Sequence, residues 1–208
     1  MKKTEKNASL VIGLTGLYCA GKNYIAGLFE KQEIPVLDVD KLGYEVIDKE
    51  KVRLTGLFGG DILGKDGKID RKLLGKKVFG KAAELAALEN IIHPAVNRET
   101  NEWIAGCKKK ACVINAALLH RSSAFEKLDA IILVEAPFLT RLFRARKRDK
   151  LPWATIIKRF RSQKNFHSQY LNAKADIYRV GNSGIGFFGP KKKPESRINE
   201  ILSRLVDD

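Results

Sequence analysis

The stretch SLVIGLTGLYCAGKNY, residues 9–24, decides the fold of this chain. Its apolar run from Leu10 to Leu14 is typical of a strand that is buried on both faces. Gly16 follows and, after four intervening residues, Gly21 and Lys22, which is the spacing of a phosphate-binding loop. The glycines let successive backbone N–H groups turn inward toward phosphate oxygens. The sequence therefore predicts a strand, a phosphate-binding loop and a helix, in that order.

At the predicted loop, the positive end of a helix dipole and a lysine side chain are expected to lie together. A helix expected from Asn23 onward directs the positive end of its dipole at the loop, and Lys22 can reach the outer phosphates of a nucleotide. Within the loop, Cys19 is interpreted as a small filler; the alternative is a redox-sensitive thiol whose pKa is lowered by the helix N-terminus. The predicted ATP-binding residues of this stretch are Leu17, Tyr18, Cys19, Ala20, Gly21, Lys22, Asn23 and Tyr24.

A second strand is expected within IPVLDVD, residues 34–40. Residues two apart on a strand point to the same face, so Asp38 and Asp40 are predicted to project from one strand edge. Sites in open parallel sheets lie at the carboxyl ends of strands, where one carboxylate could accept a proton and the other could help to hold Mg²⁺. The alternative is that Asp40 caps a helix from Lys41 to Ile47.

The expected Mg²⁺ ligands are Asn23 and Asp38. Phosphate-binding loops usually carry Ser or Thr after the Gly-Lys pair, and that hydroxyl ligates the metal. Asn23 occupies this position here, and an amide oxygen is also a hard ligand that Mg²⁺ accepts. We therefore expect Mg²⁺ as the cofactor that accompanies ATP.

The formal net charge is +15 at pH 7, and it is concentrated at residues 141–150, 159–164 and 191–193. A strongly basic surface attracts polyanions, including nucleic acid and phosphorylated small molecules. No ladder of aromatic residues for base stacking accompanies the basic segments. We therefore expect a phosphorylated small substrate and no nucleic acid, with a merely solvated basic face as the alternative for each segment.

The composition favours one globular domain in the cytoplasm. A chain of 208 residues with 44% hydrophobic content can bury a full core. The apolar run near the N-terminus is too short for a membrane span and does not resemble a signal peptide. Cys19, Cys107 and Cys112 have no metal-ligand spacing, so free thiols in a reducing compartment are expected.

The rest of the chain alternates strands with helical stretches, which predicts an α/β fold with a largely parallel sheet. Residues 41–107 are expected to be helical, with a helix that Pro94 ends or kinks. His93 is interpreted from the residues alone as a surface or capping residue. Further strands are predicted at Ala111 to Asn115, at Ala130 to Glu135 and near Asp176 to Val180.

The segment after the fourth strand is rich in arginine. Arg141, Arg144 and Arg148 lie three or four residues apart and share a helix face. A second helix is expected from Pro152 through Gln163 toward Leu171. Such a helix pair in a P-loop fold can close over ATP and neutralise phosphate charge. A turn is predicted at Gly181 to Gly184, followed by a final helix from Pro194.

Taken together, these motifs resemble those of the dephospho-coenzyme A kinase family over nearly the whole chain. The matches are the phosphate-binding loop, PVLDVD at 35–40, a run that includes Phe58-Gly59, Ile62-Leu63, Asp66-Gly67, Ile69-Asp70-Arg71, Leu74 and Val78-Phe79, LENIIHPAV at 88–96, Arg144, Arg148 and Asp149, Arg159-Phe160 and Gln163, Ala175-Asp176, and Asn182-Ser183-Gly184. Their order and spacing are more specific than any one motif.

The resemblance implies a P-loop kinase that transfers the γ-phosphate of ATP to the ribose 3′-hydroxyl of dephospho-CoA. It implies Asp40 as general base, Lys22 and the loop amides as phosphate clamp, and Arg144 and Arg148 as lid arginines. It places His93, with Asp38 and Asp40, on the acceptor side and Asn182 near the adenine. It also implies a core at about 9–40, 108–140 and 173–208, an acceptor-binding region at 41–107 and a lid at 141–172.

The chain departs from the family pattern at Asn23 and at residues 117–121, where a Pro and an acid are lost. A non-catalytic nucleotide-binding relative is therefore one alternative function. A second is another small-molecule P-loop kinase that acts on a nucleoside or nucleotide. A third, suggested only by the basic charge, is a nucleic-acid-binding protein that uses the loop as a nucleotide switch.

Overall fold

A computed structural model describes residues 9–171, 173–183 and 193–207. The chain forms two compact units, one from Met1–Leu37 with Gly106–Asp208 and the other from Asp38–Ala105. The predicted turn residue Gly184 and most of the basic segment at 191–193 lie outside the described residues.

The first unit is built on a parallel sheet. Its strands are β1 (Leu10–Gly16), β2 (Val36–Asp38), β3 (Ala111–Asn115), β4 (Ala130–Glu135) and β5 (Asp176–Gly181). Their order is β2-β3-β1-β4-β5, and β1 pairs in parallel with both β3 and β4, as β4 does with β5. The predicted α/β fold with a parallel sheet is confirmed. Because β1 lies at the centre, the loop that follows it lies at the middle of the sheet's carboxyl edge.

Two helices cover the core of this sheet. Helix α1 (Lys22–Glu30) follows the loop, and helix α8 (Pro194–Asp207) ends the chain. The buried cluster joins them to the sheet through apolar side chains that include Ile12, Leu14, Ile25, Phe29, Ile198 and Ile201. Residues three or four apart lie on one side of a helix, so the apolar side chains of each helix form one buried face.

The arginine-rich segment forms helices α6 (Phe138–Asp149) and α7 (Trp153–Arg161). The predicted continuation of the second helix through Gln163 toward Leu171 is wrong, since α7 ends at Arg161 and a short 3-10 helix spans His167–Tyr170. Tyr170 is fully buried, and its ring centroid lies 5.3 Å from that of Phe166. The helix therefore ends before the segment that buries these two rings. Helical periodicity in the sequence does not predict this burial.

The second unit is helical. It contains α2 (Val39–Lys49), α3 (Lys51–Phe58), α4 (Arg71–Val78) and α5 (Ala82–Ala105). A 3-10 turn at Gly60–Ile62 and an isolated antiparallel bridge between Leu63 and Ile69 join α3 to α4. The unit has its own apolar cluster, which includes Leu54, Phe58, Ile62, Leu74, Val78 and Ile91.

The structure corrects the prediction that Asp38 and Asp40 project from one strand edge. Strand β2 ends at Asp38, and Asp40 lies in the first turn of α2. Asp38, not Asp40, is the helix cap, and its Oδ1 accepts a hydrogen bond of 3.1 Å from the Lys41 backbone N–H. The Asp38 side chain thus satisfies one of the first backbone N–H groups of α2, which favours a helix that begins at this point.

Helix α5 runs through Pro94, so of the two predicted outcomes, an end or a kink, the helix does not end there. Pro94 and His93 lie on the exposed face, whereas Ile91 and Ala95 are buried. A proline on the solvent side costs the helix one hydrogen bond, and water can satisfy the carbonyl that loses its partner. The buried contacts before and after Pro94 hold the helix across that interruption.

Gly16 provides a test of the packing between β1 and β4. A Cβ atom at Gly16 would lie 2.7 Å from the backbone oxygen of Val134, so Gly16→Ala must separate two paired strands. We expect this substitution to lower the free energy of unfolding by about 1 to 3 kcal/mol, as overpacking does. Urea denaturation followed by circular dichroism measures the change.

Gly56→Ala is the matched control for that experiment. Gly56 lies in α3, and a Cβ atom there has no neighbour within 4 Å among the described residues. Alanine favours helix over glycine by up to about 1 kcal/mol, so stability should rise slightly. Equal stability of Gly16→Ala and the unmodified chain would contradict the close approach of the strands.

Candidate active site

The loop between β1 and α1 turns sharply through left-handed backbone conformations. Cys19 has a φ of 59° and Gly21 a φ of 97°. The Ala20 backbone N–H donates a 2.9 Å hydrogen bond to the Leu17 oxygen, which closes a tight turn. Helix α1 begins at Lys22, so its first N–H groups and that lysine are both located at the loop, as the sequence predicted.

Two predicted site residues from distant parts of the chain close this loop. Asn182 is buried, and its Nδ2 donates a 2.9 Å hydrogen bond to the Ala20 oxygen. Arg144 Nη1 donates to the same oxygen at 3.1 Å and to the Asn182 oxygen at 2.9 Å. A Cβ atom at Gly21 would overlap Asn182, so only glycine fits there. The structure thus brings together Gly21, Arg144 and Asn182.

Arg148 lies beside the same loop, in the last turn of α6. Its guanidinium carbon is 5.3 Å from the centre of the Tyr18 ring, and its Nε forms a 2.7 Å ion pair with Asp149. That ion pair is the main reason why the pKa of Asp149 is lowered from its usual value.

The sequence assigned no role to three residues that contact this loop. Gln163 accepts a 2.7 Å hydrogen bond from the Tyr18 backbone N–H through its Oε1. Arg159 and Asp149 contact the Tyr18 side chain. All three residues belong to the motif by which the lid segment resembles the family, so the sequence did mark them. Their spacing alone does not show that they reach the loop.

The surroundings of Cys19 bear on its two interpretations. Its side chain is buried in a small apolar cluster with Ala145 and Ile156. Burial is the largest cause of a raised pKa for this thiol. Both observations favour the interpretation of Cys19 as a filler, which occupies space between the loop and the arginine-rich helices.

The residue expected to ligate Mg²⁺ lies beside a buried amide. Asn23 Oδ1 accepts a 3.4 Å hydrogen bond from Nδ2 of Asn115, at the end of β3. The Oδ1 of Asn115 is buried and has no hydrogen-bond partner within the described part of the chain. Two amide oxygens of the type that Mg²⁺ accepts therefore lie near the start of α1, and their chemistry fits the metal.

The predicted acceptor-side residues belong to the second unit. Asp40 is exposed in the first turn of α2, where the positive end of the helix dipole favours a carboxylate. His93 is exposed on α5. Asp38, whose Oδ1 caps α2, is partly buried.

A surface cavity of about 680 Å³ opens in the second unit. Tyr44 and Asp48 of α2 line it, and they share a helix face with Asp40 because the three are spaced four residues apart. The Arg71 guanidinium lies 4.3 Å from the centre of the Tyr44 ring. Basic and acidic side chains both line the cavity: Lys65, Lys68, Arg71 and Lys72 on the one hand and Glu45, Asp48, Asp66 and Asp70 on the other.

Comparison with known proteins identifies the family. The family model for dephospho-CoA kinase matches residues 10–184. The chain belongs to the dephospho-CoA kinase family. A dephospho-CoA kinase from Shouchella clausii is 32% identical over 95% of this chain and 99% of its own length.

Solved structures agree with this family assignment. A dephospho-CoA kinase from Campylobacter jejuni is 25% identical, covers 95% of this chain and 98% of its own, and has a TM-score of 0.70. A structure from Thermus thermophilus has a TM-score of 0.75 at 26% identity, over 96% of this chain and 98% of its own.

Membership of the dephospho-CoA kinase family supports ATP-dependent phosphorylation of dephospho-CoA, and none of the comparisons supports the alternative functions. ATP therefore enters as the nucleotide co-substrate. Among the described residues, no helix combines the length and the apolar character needed to cross a membrane.

Proposed function

We propose that this chain transfers the γ-phosphoryl group of ATP to the 3′-hydroxyl of the ribose of dephospho-CoA, giving coenzyme A and ADP. The observation that carries the proposal is the loop that Arg144 and Asn182 close from outside. In a chain of this family, such a loop is the expected site for the ATP phosphates. The cytoplasm is the proposed location, since the three cysteines are free thiols.

On the ATP side, residues 17–24 would surround the phosphates, with Lys22 at the β and γ groups. Arg144 bonds two neutral carbonyl oxygens, so its positive charge is not cancelled by a carboxylate in these contacts. It can therefore stabilise the negative charge that spreads over the transferring group. Arg148 would assist, and Asn182 would lie near the adenine.

On the acceptor side, Asp40 would act as the general base. Its carboxylate takes the proton of the 3′-hydroxyl as that oxygen bonds to the γ-phosphorus, and the bond from phosphorus to the oxygen of ADP breaks. Asp38 and His93 would help to position dephospho-CoA. The cavity lined by Tyr44 and Arg71 is the proposed place for part of the acceptor, because Tyr44 and Asp48 share a face of α2 with Asp40.

The proposed metal is Mg²⁺, with Asn23 and Asp38 as its protein ligands. When bound there, the metal would supply positive charge that offsets the charge of the β and γ phosphates. We propose three functional regions in the chain. They are a core at about 9–40, 108–140 and 173–208, an acceptor-binding region at 41–107 and a lid at 141–172.

A transfer assay tests the function directly. The purified chain is incubated with ATP, Mg²⁺ and dephospho-CoA, with adenosine and a nucleoside monophosphate as comparison acceptors. We expect phosphate transfer to dephospho-CoA, which gives coenzyme A, and none to the two comparison acceptors. The formation of coenzyme A should vanish in Lys22→Ala, because the lysine contacts the transferring phosphates. ATP binding without transfer to any acceptor would refute the proposal.

Asp40→Asn tests the general base. Removal of the carboxylate should lower turnover by about 10²-fold or more, with little change in ATP affinity, because proton transfer is lost while the loop is intact. Steady-state kinetics with varied ATP and dephospho-CoA measure both effects.

Asp61→Asn is the control for that experiment, since Asp61 forms an exposed ion pair with Lys77 in the same unit. Such a pair contributes little to stability, and turnover should stay unchanged. If Asp40→Asn retained the turnover of the unmodified chain, the proposed role of Asp40 would be wrong.

Asn23→Ser tests the metal ligand. A hydroxyl restores the usual Mg²⁺ contact of a phosphate-binding loop, so half-maximal activity should be reached at a lower Mg²⁺ concentration. A titration of activity against Mg²⁺ at saturating ATP measures the change. Superimposable titrations for the two proteins would exclude Asn23 as a ligand.

A further inference from the structure

One side chain of the loop is tied to both arginine-rich helices. The Tyr18 hydroxyl donates a hydrogen bond to Asp149, the last residue of α6. Arg159 of α7 donates through Nη1 to the Tyr18 hydroxyl at 3.2 Å and to Asp149 Oδ2 at 3.0 Å. Arg148 Nε donates to the other carboxylate oxygen at 2.7 Å. One carboxylate therefore joins a loop tyrosine to two arginines.

The Tyr18 ring adds contacts that do not depend on its hydroxyl. The guanidinium carbons of Arg148 and Arg159 lie 5.3 and 5.6 Å from the ring centre, within range of a cation–π interaction. The Phe160 ring packs edge-on, with centroids 5.5 Å apart. The Tyr18 backbone N–H is held by Gln163. The ring and the hydroxyl therefore have separable contacts.

The charges in this cluster are unequal. Asp149 is 14% exposed, whereas the side chains of Arg148 and Arg159 are 61% and 49% exposed. A single carboxylate cannot neutralise two guanidinium groups, so the cluster keeps a net positive charge beside the loop. Because each guanidinium has five N–H donors, groups that bond one carboxylate can also bond phosphate oxygens.

The protonation states agree with this arrangement. Burial is the largest cause of a raised pKa for Tyr18, and the bond to Asp149 raises that pKa further. The pKa of Asp149 is lowered, first by the hydrogen bond from Arg148. At neutral pH the hydroxyl is therefore a donor and the carboxylate an acceptor.

We infer that Tyr18 is a positioning residue for ATP, whose hydroxyl orients Asp149 so that Arg148 and Arg159 are held at the phosphate-binding loop. The inference rests on the proposed function, because the two arginines matter to the reaction only if a nucleotide triphosphate binds there. It assigns Tyr18 a role through its side chain, beyond its place in the loop.

Tyr18→Phe is the direct test, because it removes only the hydroxyl and keeps the ring contacts. Loss of one hydrogen bond to a charged group should raise the KM for ATP by roughly tenfold. The KM for dephospho-CoA should stay unchanged. Tyr178→Phe in β5 is the control and should alter neither constant, since Tyr178 packs against the sheet core.

A double-mutant cycle separates positioning from a general structural effect. If the hydroxyl acts through Asp149, then Tyr18→Phe should change the KM for ATP by less than about twofold in an Asp149→Asn background. Effects that multiply in the double variant would overturn the inference. A lower melting temperature with an unchanged KM for ATP would also overturn it, because that is the signature of a purely structural role.

Two further measurements test the role of Tyr18 without relying on a variant that could misfold or on turnover. Arg159→Lys keeps the charge but loses the planar guanidinium whose Nη1 donates to both Tyr18 and Asp149, so it should raise the KM for ATP similarly. Equilibrium dialysis with a non-hydrolysable ATP analogue measures binding alone. Failure of coenzyme A formation with normal analogue binding refutes the proposed function, whereas equal analogue affinity in the unmodified chain, Tyr18→Phe and Arg159→Lys refutes the role of Tyr18.

Discussion

The reversal of the chain between β1 and α1 is the constraint on which the rest of the first unit depends. It requires left-handed conformations at Cys19 and Gly21, a close approach of Gly16 to Val134, and a helix that begins at once at Lys22. Non-glycine residues adopt the left-handed conformation at a cost, and the surrounding structure must stabilise it. Burial of Cys19 against Ala145 and Ile156 provides part of that support.

The arginines around the loop differ in how their charge is used. Arg144 bonds backbone oxygens of Ala20 and Asn182, which carry no net charge, whereas Arg148 and Arg159 share the carboxylate of Asp149. An arginine that is held by carbonyl oxygens is oriented without being neutralised. This difference is a physical reason to propose a catalytic role for Arg144 and a different role, held in position by Asp149, for Arg148 and Arg159.

The altered segment at residues 117–121 is accommodated by packing. Leu119 is fully buried at the start of a short 3-10 helix, and Ala117 accepts a 3.4 Å hydrogen bond from the Thr15 hydroxyl through its backbone oxygen. His120 is adjacent, and burial lowers the pKa of its imidazole, which favours the neutral ring. The segment thus keeps its contact with β1 without the proline and the acid of the family pattern.

The sequence by itself determined the strands, the loop and the parallel sheet, because apolar runs, glycine spacing and helical periodicity are short-range signals. It did not predict that Asp38 caps α2 and that Asp40 is helical, since a cap depends on where the backbone turns. It left open whether Pro94 ends or kinks α5, and buried contacts on both sides of Pro94 support the continuation. Only the tertiary structure placed Asn182 and Arg144 against Gly21, and Gln163, Asp149 and Arg159 against Tyr18. Their hydrogen bonds to the loop join residues 124 to 162 positions apart in the chain, and such contacts are decided by the packing of whole elements, which no local pattern encodes.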